Sequence, residues 1–227
     1  MGKLGYGYGS EFHLLRLLGR HRNWLDEKIL NVLGYDDKEI EWLDYKFKPK
    51  QFIPDGEFIG IEFLESLPKF NDLKDLWKNY WPSNKNAQNW DAICKIDDEW
   101  ILIEAKATEN EIKSNSGASI DSLKKINNRF DIIKKKYGIT STNDWSKNYY
   151  QKANRLLFHE FLSANWIKAK LVFIYFINGY EKNGKQLGVA TKAQWENIIK
   201  DQNSYLGIST NKFIKAKSVD LIIDIGK

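Results

Sequence analysis

The sequence predicts an α/β fold with a central mixed sheet. Apolar runs of strand length alternate with longer stretches of helical apolar periodicity. One run, Ala169 to Ile177 (AKLVFIYFI), is apolar on both faces, which suits only a strand covered on both sides. With 227 residues, 42% hydrophobic and 14% aromatic, the chain can bury a substantial core and is not a disordered one. Four prolines leave little room for a linker, so a single domain over 1–227 is expected. It would carry a helical insertion around 108–145 and a C-terminal helix–strand extension over 186–227.

The elements follow in order. Ser10 to Leu33 reads as one helix, capped by Ser10 and stopped by Gly34. Ile40–Phe47 and Glu57–Leu64 read as strands, the second weakened by Gly60. Asn71–Tyr80 is a short helix ended by Trp81-Pro82. A β-hairpin over 89–107 comes next. Ser119–Tyr137 is a basic amphipathic helix with Ile120, Leu123, Ile126, Phe130 and Ile133 on one side. Lys147–Ala164 is a further helix and Ala169–Ile177 the central strand. Thr191 and Gln194 form a capping box that opens a helix to Leu206, and Val219–Ile225 closes the chain as a strand.

Several function classes drop out. No apolar stretch has the length of a membrane span, and the first ten residues lack the apolar core of a signal peptide. The single cysteine, Cys94, lies in an apolar run and reads as a small core residue in a reducing, cytoplasmic setting. A net charge of +5 permits a polyanionic partner without demanding one.

The chemistry concentrates in the hairpin, NWDAICKIDDEWILIEAKA. An acid two residues before a lysine occurs six times in the chain, so the triplet alone says little. Only Glu104 follows four consecutive apolar residues and has an acid-bearing apolar strand just before it. If Asp97-Asp98 is the turn, Ile96 faces Glu99, Asp91 stands opposite Glu104, and Asn89 opposite Lys106. Two opposed carboxylates repel unless something positive lies between them. Asp91 and Glu104 therefore read as hard-oxygen ligands of a divalent cation, with the Ala105 carbonyl as a further donor. Mg²⁺ (or Mn²⁺) suits such a set, since it takes one or two carboxylates and shares substrate phosphates. Lys106 shares the face of Glu104 and would position or polarise a water for attack on phosphorus.

Asp91, a twelve-residue gap and then Glu104-Ala105-Lys106 at the end of an apolar strand resembles the catalytic signature of the PD-(D/E)xK nuclease superfamily. The order of elements is similar through most of the chain. The resemblance implies a restriction-endonuclease-like, three-layer α/β/α domain with an α-β-β-β-α-β core. Its activity would be metal-dependent hydrolysis of phosphodiester bonds, with DNA as the expected substrate. Trp90 stands where the signature has proline. By the same resemblance Glu11 on the first helix is a candidate metal ligand, and Gln151 and Arg155 on the helix after the hairpin are candidate catalytic residues. Arg155 departs from the tyrosine of one such lineage, yet its guanidinium could bind the scissile phosphate. A homodimer or larger nuclease assembly fits the same picture. The competing expectation is a catalytically inactive nucleic-acid-binding or structural subunit.

Blander readings stand beside these. Glu11 is also an ordinary first-turn acid, and Gln151 and Arg155 could be solvated. Glu57 and Glu62 compete with Glu11 as a third ligand but read better as a strand's polar face. His13, His21 and His159 share no ligand spacing and read as structural. The basic run Lys124, Lys125, Arg129, Lys134, Lys135 and Lys136 reads as a solvated face that could contact phosphates.

Overall fold

The computed structural model describes residues 9–43, 57–82, 87–179 and 189–226. The expected helix over 10–33 is two helices, α1 (Gly9–Arg20) and α2 (Arg22–Leu33), broken at His21 (φ −134°, ψ 33°). A straight helix of that length would run about 36 Å. The break instead lets both segments lie on one sheet face, through Leu14 and Leu17 from α1 and Leu25 and Ile29 from α2. Gly34 ends α2 in the left-handed conformation at φ 71°.

Strand β1 is Glu41–Leu43; the rest of its expected span, from residue 44 on, lies outside the described residues. The expected strand Glu57–Leu64 shrinks to β2 (Phe58–Ile59), followed by a 3₁₀ turn at Glu62–Leu64. Gly60 causes this: its φ of 54° turns the chain, and a Cβ there would lie 3.2 Å from the Trp77 indole nitrogen. Helix α3 is Phe70–Tyr80, and Trp81 leaves it in extended conformation before Pro82.

The hairpin forms as read from the sequence. Its strands are β4 (Ala92–Ile96) and β5 (Glu99–Lys106), with Ile96 opposite Glu99 and Ala92 opposite Ile103. Asp97 takes a left-handed φ of 53° in the turn, as a short polar residue can. Just upstream, β3 (Asn89–Trp90) leaves this ladder and pairs with β2, so Asn89 faces Ile59, where the sequence reading set it opposite Lys106. After the hairpin come α4 (Glu109–Ile112), a turn of helix not expected from the sequence, and α5 (Ile120–Lys136), capped by the Ser119 side chain. Helix α6 spans Tyr150–Ala164, starting later than expected because Asn148 and Tyr149 are left-handed. Strand β6 (Ala169–Ile177) matches its expected limits. Helix α7 (Lys192–Leu206) opens with the Thr191/Gln194 capping box. An unexpected helical turn, α8 (Lys212–Lys217), leads into β7 (Ser218–Asp224).

The five-stranded mixed sheet has the order β1-β4-β5-β6-β7. Its first two pairings are antiparallel and its last two parallel. Alternation along β5 divides the core. Ile101, Ile103 and Ala105 point to the α1/α2 layer, while Trp100 and Leu102 point to the layer of α3, α5, α6 and α7. Cys94 is fully buried in the first of these layers. Helices thus cover both faces of the sheet.

Helix α6 decides what the second layer can hold. Every residue from Lys152 to Leu162 is buried. Its polar side chains must therefore find partners inside the protein. His159 Nε2 lies 2.7 Å from the Ala169 carbonyl, Asn154 accepts from Gln88, and Lys152 reaches Asp220 at 3.0 Å. Glu160 accepts from Lys136 at 2.5 Å and from the Tyr137 hydroxyl. The remaining member is Arg155.

Candidate active site

Asp91 lies where β3 parts from β4, next to the last paired position of the hairpin, and continuing the register sets it against Glu104. Its Oδ2 accepts the Ala105 N–H at 2.7 Å, supplying an acceptor just where the ladder ends. Glu104, near the end of β5, is 3% exposed. Lys106 Nζ donates to Glu104 Oε1 at 2.5 Å, two residues along the same strand face.

Arg155 reaches down from α6 onto that face. Its Nε donates to Glu104 Oε2 at 2.9 Å, and one terminal nitrogen lies 2.6 Å from the same oxygen as an ion pair. The same terminal nitrogen donates to the Asn89 carbonyl at 2.7 Å. The guanidinium lies over the Trp90 ring, 4.8 Å from its centroid. Both oxygens of Glu104 are thus engaged by cations, and Arg155 is held on three sides.

The electrostatics follow from burial. Desolvation, reinforced by the neighbouring Glu104 charge, pushes the Asp91 carboxyl up to about 7. Burial also opposes ionisation of Glu104, but Arg155 and Lys106 outweigh it and hold that carboxyl below its usual range. Burial would lower the Lys106 ammonium, yet the charges of Glu104 and Asp91 carry it above its ordinary value. One face therefore holds an acid poised near neutrality, a fixed carboxylate and a fixed ammonium. This is the separation of tasks that acid–base chemistry at a carboxylate pair requires.

Of the residues singled out in the sequence, Asp91, Glu104, Ala105, Lys106 and Arg155 come together. Gln151 sits half-buried one turn before Arg155 on α6, its backbone N–H bonded to Ser114 Oγ at 3.0 Å. Glu11 is carried by α1, which packs on the opposite sheet face through Leu14 and Leu17. Glu57, ranked below it as a ligand, comes closer to the site. It is hydrogen-bonded to the Asn89 side chain, and burial raises its carboxyl, with the Glu104 charge adding to the rise. Glu62 is spent on the turn, accepting the Ile59 N–H at 3.1 Å. Among the described residues, no three His, Cys, Asp or Glu side chains converge as a preformed metal cage.

The basic helix α5 is partly committed elsewhere. Lys134 donates to the Asn143 carbonyl at 2.7 Å, Lys136 to Glu160, and Arg129 lies 4.4 Å from the Tyr80 ring centroid. Lys124 and Lys125 face solvent. Two features escaped the sequence reading. One is the partnership of Arg155 with Glu104, which the mixed polar and apolar sequence of α6 does not signal. The other is a neighbouring cluster in which Lys152 and the Tyr175 hydroxyl both reach Asp220, at 3.0 and 3.2 Å. A cavity of about 420 Å³ adjoins the start of α6, between Trp81, Pro82, residues 116–119 and Tyr150. No described helix is long and apolar enough to cross a membrane.

Comparison of the chain with protein families, with curated proteins and with solved structures gives no match.

Proposed function

We propose that this protein is a metal-dependent nuclease of restriction-endonuclease-like fold that hydrolyses phosphodiester bonds, with DNA as substrate. The observation that carries the reading is the convergence of Asp91 and Glu104 at the end of the hairpin, where Asp91 accepts the Ala105 N–H and Lys106 bonds Glu104. The element order supports it, since a helix, the hairpin, a helical crossover and a parallel strand all precede the closing β7.

The donor set fits Mg²⁺ or Mn²⁺: two carboxylates on one face, one poised to lose its proton near neutrality, with the Ala105 carbonyl alongside. Asp91 and Glu104 would hold the ion. Bound there, it supplies charge neutralisation at a phosphate and an acidified water. Lys106 orients that water and stabilises negative charge developing beside it. Trp90 and the Asn89 carbonyl hold Arg155, which in turn fixes the Glu104 carboxylate. A second reading, a non-catalytic nucleic-acid-binding or structural subunit, draws on the saturation of Glu104 by two cations and the lack of a three-carboxylate cage among the described residues.

The test is cleavage of supercoiled, linear and single-stranded DNA and of RNA with Mg²⁺ or Mn²⁺, with and without EDTA. Wild type should cut DNA, and Lys106→Met should bind metal but lose most of the cutting, since methionine keeps the apolar stem and removes the charge. Cutting by Lys106→Met at the wild-type rate refutes the assignment. Binding of nucleic acid without any cutting favours the second reading.

A further inference from the structure

We infer that Arg155 occupies Glu104 in place of a divalent cation, so that metal loading of the site is coupled to arrival of a phosphodiester. The inference rests on the nuclease reading and specifies how its site is regulated. Arg155 is then a positioning residue acting through Glu104.

The geometry leaves little room for another arrangement. Glu104 Oε1 belongs to Lys106 at 2.5 Å, and Oε2 accepts from Arg155 Nε at 2.9 Å with a terminal nitrogen of the same guanidinium 2.6 Å away. Arg155 and Glu104 are both almost entirely buried, so these contacts are little screened by solvent. Both oxygens of Glu104 are therefore already engaged by cationic nitrogens before any metal arrives. A divalent cation entering alone would have to share Glu104 with two cations already seated on its oxygens, in a site where both Glu104 and Arg155 are buried. A cost of that kind weakens binding by orders of magnitude in a poorly solvated site.

A phosphodiester removes the obstacle in two ways. It brings a negative charge of its own, to which both the cation and Arg155 are attracted. It also offers Arg155 anionic oxygens in place of the one it leaves, because a guanidinium binds phosphate as well as carboxylate oxygens. With Arg155 turned to the phosphate, Glu104 Oε2 is released to the metal. Lys106 keeps its own oxygen throughout, so the group that orients water need not move. The pivot is confined to one side chain, whose resting place is marked by the Trp90 ring and the Asn89 carbonyl. The Asn89 carbonyl contact also gives the guanidinium a second, neutral acceptor, so leaving Glu104 does not strand it.

The experiment measures both halves of the coupling in the full chain. Mn²⁺ binding is followed by electron paramagnetic resonance, alone and with a short phosphorothioate-linked DNA duplex, after subtracting Mn²⁺ held by the duplex itself. Duplex binding is followed by fluorescence anisotropy with and without Ca²⁺. In wild type the duplex should tighten Mn²⁺ binding at least tenfold, and Ca²⁺ should tighten duplex binding in the same sense, as linkage requires. A methylphosphonate duplex, uncharged along its backbone, should give no tightening. Arg155→Gln should bind Mn²⁺ more tightly than wild type in the absence of DNA and reduce the coupling to within about threefold. If Arg155→Gln does not fold, as judged by circular dichroism, the wild-type comparison of charged and uncharged duplexes decides alone. Tight Mn²⁺ binding to free wild type that ignores DNA, together with DNA cleavage, overturns the coupling and leaves the nuclease reading standing. Absence of any Asp91-dependent metal binding, with or without nucleic acid, overturns both.

Discussion

Replacing Asp91 with Asn separates the charge of this residue from its shape. Asparagine retains an oxygen that can accept the Ala105 N–H, now held at 2.7 Å, so the hairpin end keeps its bond. What disappears is a half-buried carboxylate beside Glu104. An aspartate titrating near 7 instead of 3.8 destabilises the ionised native state by roughly 4 kcal/mol at most. Local relaxation and the partial exposure of Asp91 reduce this to about 2 kcal/mol, or roughly 4–8 °C of melting temperature for a chain of this size. The raised native value sets the sign. Wild type carries almost no penalty near pH 4, where both folded and unfolded forms can hold the proton. The penalty grows between pH 4 and 7 as only the native state retains it, and is constant above. In EDTA, Asp91→Asn should therefore match wild type near pH 4 and melt several degrees higher at pH 8. With Mg²⁺ or Mn²⁺ the order should reverse or close, because the wild type alone gains stability from the ion. Equal melting curves at pH 8, or an Asn variant less stable there without metal, would refute the account of Asp91.

Other perturbations test neighbouring parts of the structure. Glu104→Gln leaves Arg155 and Lys106 facing a neutral group in a buried site, so chemical denaturation should show a loss of about 3–5 kcal/mol. Asp98→Asn, which removes the charge of an exposed acid paired with Lys168 at 2.7 Å, should leave the denaturation midpoint essentially unchanged. Gly60→Ala forces a side chain into a left-handed position and against Trp77, and should cost roughly 1–3 kcal/mol in the same assay. Burial holds His159 down at about 4, with its Nε2 on the Ala169 carbonyl. The native state gives up the proton more readily than the unfolded one, so His159 lowers stability as pH falls from about 6.5 toward 4. His159→Gln, which can keep the bond to Ala169, should flatten that part of the profile as read by urea midpoints.

The hairpin was legible because its determinants are local. Four apolar residues before Glu104, a turn of two aspartates and the pleat's period of two fix which side chains share a face, and the pairing of Ile96 with Glu99 follows. The central place of β6 was legible for a similar reason, since only a two-sided environment accepts AKLVFIYFI. The path of residues 57–64 was not. It turns on Gly60 meeting Trp77, a contact between segments with no periodic relation. The break at His21 likewise goes with the packing of Leu14, Leu17, Leu25 and Ile29 on one sheet face, a tertiary contact that no local pattern encodes. At the site, the sequence identified Arg155 but assigned it to a phosphate. Its partner in the fold is Glu104, chosen by how deeply α6 is buried. Lys134 and Lys136 show the converse: a run that looks solvated by charge alone spends two of its members on Asn143 and Glu160.

The crossover between β5 and β6 has a kinetic meaning as well. Asp91 and Glu104 are brought face to face by a hairpin, which closes over a short loop within microseconds. The cation that balances them from above comes from α6, fifty-one residues beyond Glu104, and arrives only when the parallel pairing of β5 with β6 is made. Parallel pairings of that span form late, because the loop-closure entropy precedes the contacts that repay it. In the interval the hairpin carries opposed acids with only Lys106 to offset them. Early folding of this segment therefore works against its own charges, and docking of α6 then adds the Arg155 charge that offsets Glu104. Substitutions that neutralise Asp91 should accordingly speed the refolding limb more than they slow unfolding, which would make the hairpin part of the folding nucleus.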